Sequence, residues 1–170
     1  MNEILQKEHA ALRGIAKSVS PEEITTPKIR RLVDKMKKIL AREEDGVALA
    51  APQIGEPFRI FVVSGKVFSL MKNEQDEKMP DMVFINPEFT KLSKEKETLE
   101  EGCLSVRHYY GKVKRHKKAS VRAYNEKGKL FLRGGSSLLA QIFQHEMDHL
   151  NGILFTDKAT GVKEILPEEA

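Results

Sequence analysis

Cysteine is nearly absent from this sequence of 170 residues, which contains only Cys103 and therefore no intrachain disulfide framework. A lone thiol fits a reducing compartment, where a cysteine often serves as a small buried apolar side chain. Long apolar runs are also missing, since no stretch approaches the roughly 18 residues that a membrane-spanning helix needs. Residues 1–8 lack the basic flank and apolar core of a secretory signal. We therefore expect a cytoplasmic protein without membrane contact, built as one domain over residues 1–170.

Neither sign of charge dominates, because 29 Lys and Arg residues against 25 Asp and Glu residues give a net charge of +4. The densest basic cluster lies at residues 112–118. Such a cluster can contact RNA or another polyanion. It can also form a solvated edge strand, on which lysines prevent edge-to-edge pairing with another strand. We favour the strand edge, because Tyr109 and Tyr110 are the only stacking aromatics nearby, and we expect no direct DNA binding.

Two helices are predicted. Apolar residues recur at helical spacing over residues 27–43, with Thr26 placed to cap the helix and Pro27 at its first position. Residues 134–136, Gly-Gly-Ser, are expected to break the chain and cap a second helix at about residues 136–150.

The predicted strands are short. They cover residues 58–63, residues 82–86 ending at Pro87, and a hairpin of residues 120–124 and 129–132. Residues 64–81 are polar and predict mostly loop. Because helices and strands do not alternate regularly, we expect an α+β fold with largely antiparallel sheets packed around a central helix, the second one.

That second helix carries the strongest local motif. His145 and His149 lie four residues apart with Glu146 beside the first, so that a helix places both imidazoles on one face. Two such imidazoles can share a metal ion while the glutamate reaches a water molecule that the ion activates. The same spacing also occurs in helices whose histidines are merely hydrogen-bonded.

A catalytic metal site usually has three protein ligands, so a third must come from elsewhere. Cys103 is the best candidate, because Gly102 before it allows close approach of the backbone and a thiolate binds borderline divalent ions well. His108, His116 and several carboxylates remain alternatives.

A third cluster covers residues 45–55, where small residues, Pro52 and Gly55 limit regular structure. Such a segment can offer backbone groups to a substrate, or it can simply be a tight turn before the strand at Phe58. Gln53 contributes the cluster's only side-chain amide.

With these clusters the sequence resembles the peptide deformylase family, whose motifs are GxGLAAxQ, EGCLS and QHExDHLxG. They stand here at residues 46–53, 101–105 and 144–152, within a resemblance that extends from about Ile4 to Asp157. Two departures occur: Ala48 replaces the second glycine of the first motif, and Arg107 stands where many members have proline. The alanine lacks glycine's freedom at positive φ and could narrow the site.

The resemblance implies removal of the formyl group from N-formylmethionyl nascent chains, with release of formate. Cys103, His145 and His149 would hold the metal, Glu146 would act as the base, and the Leu104 N–H and the Gln53 side chain would stabilise the oxyanion. Gly46, Val47, Ala48, Leu138 and Ile142 are the candidate substrate-binding residues.

For the metal, the resemblance points to Fe²⁺ in the cell, whereas Zn²⁺, Ni²⁺ or Co²⁺ also suit these ligands in purified protein. Transient contact with ribosomes is a further expectation. Two other classes stay open on the residues alone: a zinc peptidase, which also uses HExxH, and a binding module with a structural metal site.

Overall fold

The computed structural model describes residues 3–72 and 79–169. The α-helices in these ranges are α1 Pro27–Arg42, α2 Gly65–Lys72 and α3 Ser137–Leu150. The β-strands are β1 Ala48–Ala50, β2 Ile60–Val63, β3 Met82–Leu92, β4 Lys96–Cys103, β5 Val106–His116, β6 Lys118–Tyr124, β7 Leu130–Ser136 and β8 Thr160–Glu164. Among the described residues, none of the helices could span a membrane.

The strands form two antiparallel sheets. Five strands pair in the order β1-β2-β3-β6-β7, and three pair in the order β4-β5-β8. Helix α3 contacts strands of both sheets, including β1, β6 and β7 on one side and β5 on the other. The expected α+β fold with largely antiparallel sheets is therefore confirmed.

The five-stranded sheet is covered by a helix on each face, which explains why β2 is buried throughout. Alternate residues of a strand point to opposite faces. Phe61 thus joins Phe84 and Phe143 under α3, with stacked rings 4.6 Å apart for the first pair. Ile60 and its neighbours on the other face pack against the apolar stripe of α1, including Met36. Helix α3 is thereby fixed by the core.

Several local predictions were right and others were wrong. Helix α1 and the β6–β7 hairpin occur as predicted, with Pro27 at the first helical position. Thr26 occupies the cap position, but its hydroxyl donates to the Glu23 carbonyl at 2.6 Å and caps nothing. Strand β3 does not end at Pro87, because a register shift between Ile85 and Glu88 accommodates the proline.

Two further differences concern segments predicted to be irregular. Residues 65–72 form α2 rather than loop, because the helix buries Val67 and Phe68. Residues 73–78 of the predicted loop lie outside the described residues. Residues 134–136 do not break the chain. They pair with β6 as the end of β7, so α3 begins directly from a strand.

Candidate metal centre

Three side chains from two elements converge at the side of α3 that faces the small sheet. Helix α3 places His145 and His149 one turn apart, and Cys103 ends β4 where the chain turns into β5. Their ligand atoms all lie within 4.8 Å of one another, and Cys103 Sγ is 3.3 Å from His149 Nε2. Among residues 3–72 and 79–169 this is the one group of His, Cys, Asp and Glu so arranged. Neither His108 nor His116 belongs to it.

A buried ionic network holds the first histidine. Glu101 Oε1 lies 2.8 Å from His145 Nδ1, and because a carboxylate accepts, this contact leaves Nε2 free to act as a ligand. Arg115 donates to both oxygens of Glu101, at 2.7 and 2.8 Å, and to Asp148 Oδ2 at 2.7 Å. Lys158 donates to the other Asp148 oxygen at 3.0 Å.

Glu101 and Arg115 were missed as functional residues by the sequence reasoning. The glutamate belongs to the EGCLS motif, which is the one signal that could have suggested it. The arginine was assigned to a solvated basic cluster, yet it is only 2% exposed. Strand alternation turns it inward, where the two carboxylates compensate its charge.

Burial and charge shift the site's pKa values in different directions. Desolvation raises the pKa of Glu146 to about 7, partly opposed by the charge of His145. Burial, with the charge of His145, lowers the pKa of His149 well below its usual value, which favours the neutral ring that binds metals. Desolvation opposes ionisation of Glu101, but the hydrogen bonds from Arg115 and His145 outweigh it and lower its pKa to about 2.

The pKa of His145 is shifted in the opposite direction from that of His149. Burial acts to lower its pKa, but the hydrogen bonds with Cys103 and Glu101, together with the nearby charge of Glu146, raise it well above the usual value. The donor atoms themselves, one thiol sulfur and two imidazole nitrogens, fit a divalent metal ion.

Other predicted residues surround this centre. Glu146 is 3% exposed, and its Oε2 has no hydrogen-bond partner among the described residues, so it can receive a proton from the cleft. The Ala50 N–H donates to Gln53 Oε1 at 2.9 Å, and Gln53 Nε2 donates to Ser105 Oγ at 3.1 Å and lies 3.7 Å from Cys103 Sγ. Leu104 follows the cysteine in the cleft wall.

A cleft of about 310 Å³ opens beside the three ligands. Val47, Ala48, Leu138 and Ile142 line it, whereas Gly46 is not among its lining residues. Lining residues that were not predicted come mainly from β5 and the neighbouring elements: Asp45, Glu100, Arg107, His108, Tyr109, Tyr110 and Gln141.

Ala48 fits its position without backbone strain. Among the described non-glycine residues, positive φ occurs only at Asn86, His108 and Ser137, so the glycine of the family motif is not needed here for its conformation. The Val47 carbonyl accepts from the Ser64 N–H at 2.8 Å. Because pairing alternates along an antiparallel strand, the N–H and C=O of Ala48 point away from β2 at the open edge of the sheet.

Comparison with known proteins agrees with this geometry. The family model for polypeptide deformylase matches residues 1–164. A peptide deformylase of Desulforudis audaxviator is 42% identical over 160 residues, covering 94% of each chain.

Solved structures show the same likeness. The actinonin complex of a peptide deformylase from Synechococcus elongatus superposes with a TM-score of 0.79 at 32% identity, covering 93% of this chain and 78% of that one. The Met-Ala-Ser-bound enzyme of Acinetobacter baumannii gives 0.79 at 32% identity, covering 91% and 97%.

Fold and site thus define a metal-dependent hydrolase. The chain belongs to the peptide deformylase family. It removes the N-terminal formyl group from N-formylmethionyl nascent polypeptides and releases formate. The zinc-peptidase and structural-module alternatives are thereby excluded.

Proposed function

We propose that Cys103, His145 and His149 hold the single divalent metal ion of this deformylase and that Glu146 is its proton-transfer group. The observation that carries the proposal is the meeting of one thiolate and two imidazoles within 4.8 Å beside a buried, unpartnered glutamate oxygen. With three protein ligands, the site keeps a position open, as catalytic sites do.

The proposed proton path uses one side chain in two directions. A divalent ion in the site would polarise the formyl carbonyl and make a water molecule more acidic. Glu146 Oε2 accepts the proton of the attacking water and then delivers it to the amine nitrogen of the departing methionine. Burial raises the pKa of Glu146 above that of a free carboxyl group, which helps the side chain to return the proton to the amine.

Negative charge develops on the formyl oxygen during the attack, and hydrogen-bond donors must meet it. We assign this role to the Gln53 Nε2 amide and to the backbone N–H of Leu104. The Ala50 N–H holds the oxygen end of the Gln53 amide, and its Nε2 donates to Ser105 Oγ at 3.1 Å, so the amide is held in place beside Cys103. Loss of one such donor typically costs about 2.7–4 kcal/mol of transition-state stabilisation.

We assign the methionine side chain to the apolar part of the cleft at Val47, Leu138 and Ile142, next to the proposed ligands. The rest of the peptide would lie extended along the open edges of β1 and β4, both of which line the cleft. Ala48 offers its unpaired backbone groups for this pairing, which is the usual way in which an extended peptide adds to a sheet edge. Gly46 would act by shaping the preceding turn.

We propose Fe²⁺ as the metal in the cell, with Zn²⁺, Ni²⁺ or Co²⁺ able to replace it in purified protein, since thiolate and imidazole suit all four. The accessible thiol at such a site fits a reducing, cytoplasmic compartment. We also propose that residues 1–170 form one catalytic domain, because α3 contacts both sheets.

Transient ribosome contact would use the solvent face of the small sheet. Alternation and strand register place a group of basic residues on that face: Lys96, Lys112, Lys114, His116 and Lys163. None of these lysines forms an ion pair within the described ranges. Co-sedimentation with ribosomes at low salt should disappear in the Lys112→Glu, Lys114→Glu variant, and a parent that does not co-sediment would end this proposal.

The ligand assignment is tested by elemental analysis of protein purified under anaerobic conditions. The parent and Glu146→Gln should each carry about one metal ion, whereas Cys103→Ser, His145→Ala and His149→Ala should each lose most of it. Full metal content in any of the three ligand variants would remove that residue from the site.

A further inference from the structure

One ion pair joins the two walls of the substrate cleft. The Arg107 Nη2 group donates to both carboxylate oxygens of Glu43, each at 3.1 Å, and the two side chains are 32% and 23% exposed. Arg107 lies near the start of β5 in one wall. Glu43 is the C-cap residue of α1 and leads into the segment that forms the opposite wall.

Glu43 packs closely against the first residues of that second wall. Its carbonyl accepts from the Gly46 N–H at 3.2 Å, closing a tight turn. A Cβ atom on Gly46 would lie 2.8 Å from Glu43 Cβ and 3.0 Å from Leu40 Cδ1, so only glycine allows so close a packing. A shift of the Glu43 backbone would therefore displace Gly46 and the next residues, Val47 and Ala48.

The other end of the pair is equally well anchored. Gln6 Oε1 accepts from the Arg107 N–H at 3.4 Å, and Gln6 Nε2 donates to the Leu104 carbonyl at 3.0 Å. The guanidinium thus extends from a stretch of chain that is tied to the residue following Cys103.

We propose that Arg107 is a positioning residue that acts through Glu43 to set the distance between the cleft walls, and so the place of Ala48 along the bound peptide. This role rests on the proposed binding of substrate at Val47 and Ala48. Arg107 controls how well the peptide is held, while the reacting atoms beside Cys103 are left undisturbed.

The test is a double-mutant cycle in deformylation of a formyl-Met-Ala-Ser peptide. Arg107→Ala, Glu43→Ala and the double variant should all raise KM by the same factor, up to about fivefold for a pair of this exposure, with kcat unchanged. The charge-exchanged Arg107→Glu, Glu43→Arg variant should recover part of the loss. Salt at about 1 M should raise the parent's KM towards that of the variants, because it screens the pair.

A matched control is Lys37–Glu126, where the lysine also contacts both carboxylate oxygens, at 2.9 and 2.8 Å, with similar exposure and away from the cleft. Lys37→Ala and Glu126→Ala should leave KM unchanged. A rise in KM for Arg107→Ala but not for Glu43→Ala would mean that Arg107 touches the peptide itself, and would overturn the proposal.

Ile142→Gln in the same series distinguishes a failure of the positioning role of Arg107 from a failure of the proposed peptide path. If it raises KM while the Arg107 and Glu43 variants do not, the positioning role is wrong and the proposed cleft stands. If none of the variants raises KM, the proposed peptide path itself is wrong.

Discussion

Arg115→Met should be among the most destabilising single substitutions in this protein. The arginine is 2% exposed and compensates Glu101, which is 5% exposed, as well as Asp148. Methionine fills similar space but leaves a buried carboxylate without a counterion, which typically costs about 3–5 kcal/mol. For a chain of this length that loss corresponds to a fall of roughly 6–20 °C in the melting temperature.

Urea unfolding followed by circular dichroism measures the loss, in buffer with a chelator so that bound metal adds no stability. The control is Arg122→Met, whose ion pair with Glu88 is 53% and 67% exposed and should contribute less than about 1 kcal/mol. Adding Glu101→Gln to Arg115→Met should restore at least half of the lost stability, because it removes the uncompensated charge. If Arg115→Met lowers the free energy of unfolding no more than the control Arg122→Met does, then charge compensation by Arg115 does not stabilise the buried network.

Three further outcomes are expected. Gly152→Ala should lower the free energy of unfolding by at least about 1 kcal/mol, because φ is +74° there and the added Cβ would lie 2.5 Å from the Arg13 carbonyl oxygen. Gly161→Ala, at φ +61° with open space around the added Cβ, should lower the free energy of unfolding by less in the same urea titration. Ile142→Gln should strongly raise KM for formyl-Met peptides by placing an amide in the apolar cleft, and an unchanged KM would remove Ile142 from substrate binding. The hydrogen bond from Arg13 lowers the pKa of Asp157, so this pair stabilises the fold above the carboxyl's unfolded pKa and ceases to do so as the pH falls through its folded pKa. The urea midpoints of the parent and Arg13→Ala should therefore differ at pH 7 and converge in acid. A difference between the two midpoints that is constant with pH would contradict this role of the ion pair.

The elements that carry regular patterns were predictable from the sequence. The apolar stripe of α1 and the alternation of the β6–β7 hairpin follow directly from residue spacing. The same holds for the two histidines of α3, because residues four apart on a helix must share a face. Pro87 misled the prediction, since a bulge lets a strand continue past a proline.

The parts that depend on long-range pairing were not predictable in this way. The small sheet of β4, β5 and β8 brings charged, irregularly patterned strands together, and its local sequence resembles a solvated surface. Only the tertiary fold shows that Arg115 turns inward to Glu101, or that Arg107 reaches Glu43 across the cleft. Such ion pairs join residues 14 and 64 positions apart, and no spacing rule within one element links them.

Formate release from a formyl-Met-Ala-Ser peptide, by parent and Glu146→Ala protein of equal metal content, tests the central claim most directly. Both proteins should be purified anaerobically with Fe²⁺ or reconstituted with Ni²⁺. We predict rapid release by the parent and a rate lower by about 10²–10⁴ in the variant, the usual contribution of a positioned acid–base group. A metal-loaded variant that releases formate nearly as fast as the parent would show that Glu146 does not move the proton, and would contradict the mechanism proposed for this site.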